Sequence, residues 1–122
     1  MRIEFWILIV IAVIVVLVTS LAFFSAQTEA RDQIKMIDVS RIQKALKIYF
    51  DENGFYPYSN NGQPIGINNY LDFWPKPPSA DSNCSSTQSD YNYVQKNNGG
   101  DFTLTFCLAK ARLQIINSQS TQ

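Results

Sequence analysis

The sequence predicts an α+β fold, in which one long N-terminal α-helix packs on a small antiparallel β-hairpin or sheet. Three observations lead to this prediction. Residues 5–24 form an apolar run without a charge, no proline or glycine occurs before Gly54, and residues 101–108 alternate between large apolar and smaller side chains. Because proline and glycine are the usual helix breakers, their absence favours a single uninterrupted helix.

The chain divides into three predicted parts. Residues 1–24 form the apolar half of the helix, residues 25–53 its amphipathic half, and residues 54–122 a small globular region of loops and strands. A helix of about 20 apolar residues spans a hydrocarbon core of about 30 Å, so we expect the first part to cross a membrane. A cleavable secretory signal is the alternative, but the apolar run exceeds the usual signal core and is preceded by a single basic residue, Arg2.

The amphipathic half is predicted to pack on the sheet through apolar residues at helical spacing. These residues are Ile34, Ile37, Ile42, Ala45, Leu46 and Tyr49. Charged side chains occupy the opposite face, which we expect to be solvated. They are Arg31, Asp32, Lys35, Asp38, Arg41, Lys44 and Asp51. The helix is expected to end at Asn53-Gly54, since glycine takes a positive φ without steric cost.

The globular region contains the pattern of a β-hairpin. Tyr91 and Tyr93 alternate with polar residues, residues 97–100 (NNGG) are typical of a turn, and residues 101–108 return as a strand. A further strand is predicted over residues 113–116. The strand side chains expected to cover the helix are Phe102, Leu104, Phe106 and Leu108.

Charge and composition argue against several classes of function. Ten basic residues balance ten acidic ones and do not cluster, so no specific nucleic-acid partner is predicted. The chain has no histidine, the commonest general base and metal ligand, and no convergent polar cluster. We therefore expect neither an enzyme nor a cofactor. Asp81, Asp90 and Asp101 are too scattered to predict a metal site.

The two cysteines, Cys84 and Cys107, both lie in the globular region. In a small extracytoplasmic domain such a pair predicts a disulfide, and two separate buried thiols are the alternative. Seven aromatic residues also leave two interpretations open: a core over the helix, or an exposed surface for adhesion or for stacking on single-stranded nucleic acid. They are Tyr56, Tyr58, Tyr70, Phe73, Trp74, Tyr91 and Tyr93.

Six short segments carry a combined pattern: 30–32 (ARD), 41–46 (RIQKAL), 51–57 (DENGFYP), 74–78 (WPKPP), 91–93 (YNY) and 102–108 (FTLTFCL). Together they resemble the type IV pilins, most closely the branch containing the major pseudopilin of type II secretion. In that family a long N-terminal helix ends in a similar motif before the globular domain. The matching residues here are Tyr49, Asn53, Gly54, Tyr56 and Pro57. The resemblance covers most of the chain and implies the pilin fold.

The resemblance also implies roles for residues near the N-terminus. Glu4 takes the place of the family's near-terminal glutamate, which pairs with the N-terminal amine of a neighbouring subunit during assembly. Met1 is then expected to be the processed terminus, or the chain is uncleaved. From Glu4 alone, the alternative is an acid favoured by the helix dipole and wetted by lipid headgroups. The residues expected in the core of a filament are Phe5, Trp6, Ile9, Ala12 and Val16.

The chain departs from the family at two helix positions. Val13 and Leu21 stand where many pilins carry a glycine and a proline, and only Thr19-Ser20 weakens this stretch. We therefore expect a more continuous helix than in those filaments. The calcium-binding loop of the pseudopilins is not recognisable in this sequence, so the resemblance does not predict a metal site.

The function implied by the resemblance is a structural subunit that polymerises into a type IV pilus-like helical filament on the cell surface. The subunit would start in the inner membrane, and its partners would be membrane lipid, copies of itself and the pilus assembly machinery. Candidates for lateral contacts are Arg31, Asp32, Lys35 and Arg41. Two alternatives remain: a pseudopilin or minor pilin of a secretion or competence system, and a bitopic membrane protein with a small extracytoplasmic binding domain that does not polymerise.

Overall fold

The computed structural model describes residues 2–78, 83–85, 90–110 and 112–121. Within these residues the chain forms one α-helix and five strands, in the order α1 (Arg2–Asn53), β1 (Ser59–Asn60), β2 (Gln63–Pro64), β3 (Asn92–Lys96), β4 (Asp101–Leu108) and β5 (Arg112–Asn117). Short 3-10 turns lie at Ile67–Asn69, Asn97–Gly99 and Ser118–Thr121. The predicted α+β fold class, a long N-terminal helix on a small antiparallel sheet as in the pilin fold, is confirmed.

Helix α1 is unbroken over 52 residues. Its length is therefore about 78 Å, at about 1.5 Å per residue. Thr19 and Ser20 do not interrupt it, and their hydroxyls donate hydrogen bonds to backbone carbonyls one turn earlier, at 2.9 and 2.7 Å. The continuity predicted from Val13 and Leu21 is present in the single chain.

The end of α1 has the predicted left-handed geometry. Gly54 has a φ of 79°, and its N–H donates to the carbonyl of Phe50 at 2.7 Å. The side-chain amide of Asn53 donates to the carbonyl of Tyr49 at 2.9 Å. The bond to Phe50 satisfies a carbonyl that a helix end otherwise leaves without a partner, and the bond from Asn53 adds a side-chain donor in the last turn. The chain then turns back towards the sheet.

Strands β3, β4 and β5 form an antiparallel sheet in that order, and β1 and β2 form a separate two-stranded ribbon. The register places Leu104 of β4 between Tyr93 of β3 and Ile116 of β5. The ribbon is fastened to the sheet because the N–H of Tyr93 donates to the carbonyl of Gly62 at 2.8 Å. The predicted hairpin is confirmed, and the third predicted strand is longer than the sequence indicated.

The core lies between the second half of α1 and the inner face of the sheet. The helix contributes Val39, Ile42, Ala45 and Leu46, and the strands contribute Tyr93, Phe102, Leu104 and Phe106, all of them buried. Leu108, the fourth strand residue predicted to cover the helix, is half-buried. Alternation along β4 therefore does place one face of the strand on the helix, as expected.

The predicted helix face was wrong at its N-terminal end. Ile34 and Ile37 are 48% and 55% exposed, whereas Lys35 and Val39 are buried. The line of contact with the sheet runs through residues 35, 39, 42 and 46, so the sheet meets a side of the helix rotated away from Ile34 and Ile37. Tyr49 lies at the edge of the contact and is half-buried.

The predicted solvated face was also wrong, at four of its seven charged residues. Lys35 is fully buried, and Arg31, Asp32 and Asp38 are half-buried. Lys35, Asp32 and Asp38 make hydrogen bonds to the globular region. A lysine fits such a position because its aliphatic stem packs like an apolar residue and its ammonium needs only local acceptors.

Candidate membrane and assembly surface

The first half of α1 extends beyond the globular region. Residues 2–27 are exposed along their whole length. The most apolar 18-residue window of the helix has a mean hydropathy of 3.2, and none of it is buried. Within the described residues, α1 is the one helix that is long and apolar enough to cross a membrane. Apolar surface of this extent is stable only in contact with lipid or protein, so the helix is compatible with membrane anchoring.

The predicted filament-core residues lie on this exposed surface. Phe5, Ile9, Ala12 and Val16 are spaced by four, three and four residues, so they share one side of the helix. Trp6 stands next to them and is 65% exposed. The helix thus presents a continuous apolar row to whatever surrounds it.

Glu4 lies in the first turn of α1 and is exposed. It is the only acidic residue before Glu29, so a single carboxylate marks the start of the apolar half. The positive end of the helix dipole favours a carboxylate at this position. Met1, the other predicted assembly residue, lies outside the described residues.

The five residues of the helix-to-domain motif come together where α1 meets the sheet. Tyr56 is central: its N–H donates to the carbonyl of Gly99 at 2.8 Å, and its carbonyl accepts from the side-chain amide of Gln95 at 2.6 Å. The hydroxyl of Tyr93 donates to the carbonyl of Pro57 at 2.7 Å. This segment therefore ties the end of the helix to the β3–β4 turn. Gln95 was missed by the sequence analysis, because nothing in its local pattern indicates so distant a partner.

Aromatic rings fill the space around this motif. The ring of Tyr56 lies 4.6 Å from that of Phe50 and 4.8 Å from that of Phe102, measured between centroids. Phe102 in turn stacks on Tyr93 at 5.8 Å. Burial raises the pKa values of the Tyr56 and Tyr93 hydroxyls above the ordinary value for tyrosine, because the phenolate would lose its hydration.

A second junction joins the other end of the sheet to the middle of α1. The carboxylate of Asp32 accepts the backbone N–H groups of Ala109 and Lys110, at 2.9 and 3.2 Å. The ammonium of Lys35 donates to the carbonyl of Cys107 at 2.9 Å. Strand β4 thus lies along the helix between two hydrogen-bonded junctions, one at each end. A usable sequence signal existed, since residues 32 and 35 lie seven positions before the buried residues 39 and 42 and hence on the same side of the helix.

The predicted disulfide is present between Cys84 and Cys107, with their Cα atoms 6.0 Å apart. It links the end of β4 to a residue 23 positions earlier in the chain. The side-chain amide of Asn83, next to Cys84, donates to the carbonyl of Ala109 at 3.2 Å. The disulfide therefore reinforces the same end of the sheet that Lys35 and Asp32 hold on the helix.

A tyrosine–carboxylate hydrogen bond lies between the two junctions. The hydroxyl of Tyr91 donates to Asp38 Oδ2 at 2.9 Å. Burial, the hydrogen bond to Asp38 and the negative charge of that carboxylate all raise the pKa of Tyr91 above its ordinary value. The hydroxyl thus stays protonated over the physiological range and can act as a donor.

The four predicted lateral-contact residues do not form one surface. Asp32 and Lys35 form hydrogen bonds with the chain's own globular region. The prediction for these two residues is therefore corrected: they hold the sheet on the helix. Arg31 is half-buried and Arg41 is exposed. Lys35, which is fully buried, is therefore not accessible to another copy of the chain.

The aromatic residues follow the core interpretation for the most part. Tyr56, Tyr91 and Tyr93 are buried, and Tyr70 and Trp74 are half-buried. Tyr58 and Phe73 are exposed, at 65% and 70%.

No group of three or more metal-ligating side chains occurs among the residues described. Asp90 is exposed at the surface. Asp101 accepts two hydrogen bonds from Ser118, through its backbone N–H and its hydroxyl, and these lower the pKa of the carboxyl. Asp81 lies outside the described residues.

No protein-family model matches the sequence, and no curated protein or solved structure matches it significantly.

Proposed function

We propose that this chain is a type IV pilin-like subunit, which its apolar helix half holds in the inner membrane before it polymerises into a helical filament on the cell surface. The observation that carries the proposal is the continuity of α1. The exposed apolar half of the helix, residues 2–27, continues without a break into the half that packs against the sheet. A membrane anchor needs only an apolar helix, whatever its orientation relative to the domain. A polymer also needs that helix to keep a fixed orientation relative to the domain, so that every copy packs in the same way.

A second observation favours polymerisation over simple anchoring. Ile34, Ile37 and Ile48 are 48%, 55% and 38% exposed, although they lie beyond a 20-residue membrane span. They lie on the side of α1 turned away from the line of residues that contacts the sheet. The described part of the chain's own domain leaves this row exposed, and a 20-residue membrane span would end before it. A neighbouring copy would cover it, and head-to-tail contacts of that kind generate open helical assemblies.

Electron microscopy tests the proposal. Cells producing the chain are expected to yield, on shearing, thin filaments that contain it. In a filament map we expect residues 14–22 to remain helical, because no glycine or proline stands there. Sheared material without such filaments would favour the non-polymerising bitopic protein, and filaments confined to the periplasm would favour a pseudopilin.

Glu4→Ala separates assembly from anchoring. We expect the variant to remain in the membrane fraction but to give few or no filaments, because the carboxylate that sets the subunit register is lost. Glu29→Ala is the matched control, an acidic residue of the same helix that makes an exposed ion pair with Lys110 and should assemble normally. Equal filament yields from both variants would exclude the assembly role of Glu4. Intact-mass measurement of filament subunits would show whether Met1 is the terminus and carries a methyl group.

A further inference from the structure

An open cleft of about 430 Å³ lies on the globular region, and the apolar half of α1 takes no part in it. Its walls come from the β1–β2 turn, from the proline-containing segment 74–77 and from the residues that lead into β3. Its lining includes the side chains of Asn61, Gln63, Trp74, Lys76, Asp90 and Asn92.

Two walls of the cleft, the β1–β2 turn and segment 74–77, are held in place before any ligand binds. Asn61 and Gly62 both have positive φ angles, 48° and 76°, as a tight type I′ hairpin turn requires. The turn is fixed to β3 through the carbonyl of Gly62, and a side chain at position 62 would collide with Asn92 Oδ1. Pro75 and Pro77 restrict the backbone of the opposite wall. A rigid cleft loses little conformational entropy on binding.

The lining combines two aromatic residues with several hydrogen-bonding groups. Trp74 is half-buried against the hydrophobic core and lines the cleft, whereas Tyr91 is buried and its hydroxyl is bound to Asp38. Around Trp74, the amides of Asn61, Gln63 and Asn92 supply both donors and acceptors, and the carboxylate of Asp90 supplies acceptors. Sugar rings are recognised by this combination, since their C–H faces stack on an aromatic ring while their hydroxyls bond to planar polar groups.

The charges of the lining decide what kind of ligand fits. Lys76 and Asp90 belong to different walls and carry opposite charges. Among the described residues of the lining these two charges cancel, which leaves no net charge to attract a phosphate, a nucleic acid or a cation. Its polar groups would lose their hydration against an apolar ligand. A neutral ligand rich in hydroxyl groups satisfies both conditions.

We propose that this cleft is a binding site for neutral saccharides. Its volume falls within the range of about 300–1,000 Å³ that is usual for small-ligand sites, and its open side admits the end of a longer oligosaccharide. The site belongs to the single chain and does not depend on polymerisation, so the subunit binds the sugar whether or not the filament forms.

Glycan binding by the full chain in phospholipid nanodiscs tests the proposal. Nanodiscs are needed because the sugar headgroups of glycoside detergents would compete for the cleft. The probes are an array of neutral, sialylated and phosphorylated oligosaccharides, followed by titration of the strongest ligand. We expect binding to neutral members of the array. Binding to none of them, or only to charged members, would overturn the proposal.

Variants locate the binding on the protein. Gln63→Ala and Asp90→Ala alter exposed side chains, so they leave the fold intact, and we expect each to weaken binding by about tenfold. Trp74→Ala should weaken it at least as much. Phe73→Ala is the matched control, because this aromatic neighbour is exposed but does not line the cleft. Unchanged affinity in Gln63→Ala and Asp90→Ala would place the binding site elsewhere on the protein. Displacement of the bound glycan by a proline-rich peptide, but by no competing sugar, would assign the cleft to another class of ligand.

Discussion

Residues 2–27 and residues 35–53 belong to the same helix, but the first stretch is exposed on all sides and the second buries one face against the sheet. The more apolar stretch is the exposed one. Burial within the chain therefore follows the presence of a complementary surface and not the hydrophobicity of the segment. Among the described residues the apolar half meets no such surface, and this makes it available to a membrane or to other copies.

The largest effect is expected from the contact between α1 and the sheet. Leu46 is fully buried, so Leu46→Ala should lower the free energy of unfolding by about 3 kcal/mol through the lost contacts and the cavity left behind. Ile37→Ala, on the exposed side of the same helix, should change it by less than about 0.5 kcal/mol. Chemical denaturation followed by near-ultraviolet circular dichroism measures both. Similar losses from the two variants would contradict the contact line through residues 35, 39, 42 and 46.

A proline in the apolar half tests whether the two stretches are energetically separate. Leu21→Pro removes a helical hydrogen bond and should destabilise the helix locally by about 3 kcal/mol. Because residues 2–27 are exposed, the denaturation midpoint of the globular region should stay unchanged. Hydrogen exchange, read residue by residue in nanodiscs, would show faster exchange near residue 21 alone. A lowered midpoint would mean that the halves are coupled.

Lys35 provides a smaller effect on the buried side. Lys35→Met keeps the aliphatic volume but removes the donor to the carbonyl of Cys107. Leaving a buried carbonyl without that donor should lower stability by about 1–3 kcal/mol. Lys44→Met is the matched control on the exposed surface and should have little effect. If both variants were as stable as the parent, the buried ammonium would be energetically neutral.

The smallest expected effect is a dependence on alkaline pH. The pKa of Tyr91 is raised in the folded state, so its contribution to stability is complete below about pH 10, the ordinary tyrosine pKa, and declines as the pH rises above it. Tyr91→Phe should lose the hydrogen bond to Asp38, worth about 1 kcal/mol, and should show a shallower decline above pH 10. Unfolding free energies between pH 8 and 11 provide the measurement. Parallel curves for parent and variant would exclude this linkage.

Periodicity and turn chemistry predicted most of the fold. The helix end at Gly54, the hairpin of β3 and β4, and the inward face of β4 all depend on local rules that the residues obey. The disulfide between Cys84 and Cys107 was also predicted, because two cysteines allow only one pairing within the chain.

The errors arose where distant residues decide the outcome. Ile34 and Ile37 fit the helical stripe as well as Val39 does, and only the direction of approach of the sheet distinguishes them. Lys35 was predicted to be solvent-exposed because it is charged. Its ammonium instead donates a hydrogen bond to the backbone carbonyl of Cys107, 72 positions later in the chain. The sugar-binding cleft could not be predicted either, since the β1–β2 turn and Trp74 meet only in three dimensions.

The two junctions at the ends of β4 determine how the domain would carry mechanical load. One junction joins the sheet to α1 near Asp32 and Lys35, and the other near Tyr56, so β4 lies along the helix axis. A pull on the apolar half would slide the helix along the sheet and load all these contacts together, instead of peeling them one by one. We expect single-molecule stretching along the axis to need a much larger force than stretching across it. The domain would then act as a clamp that resists extraction of its own helix.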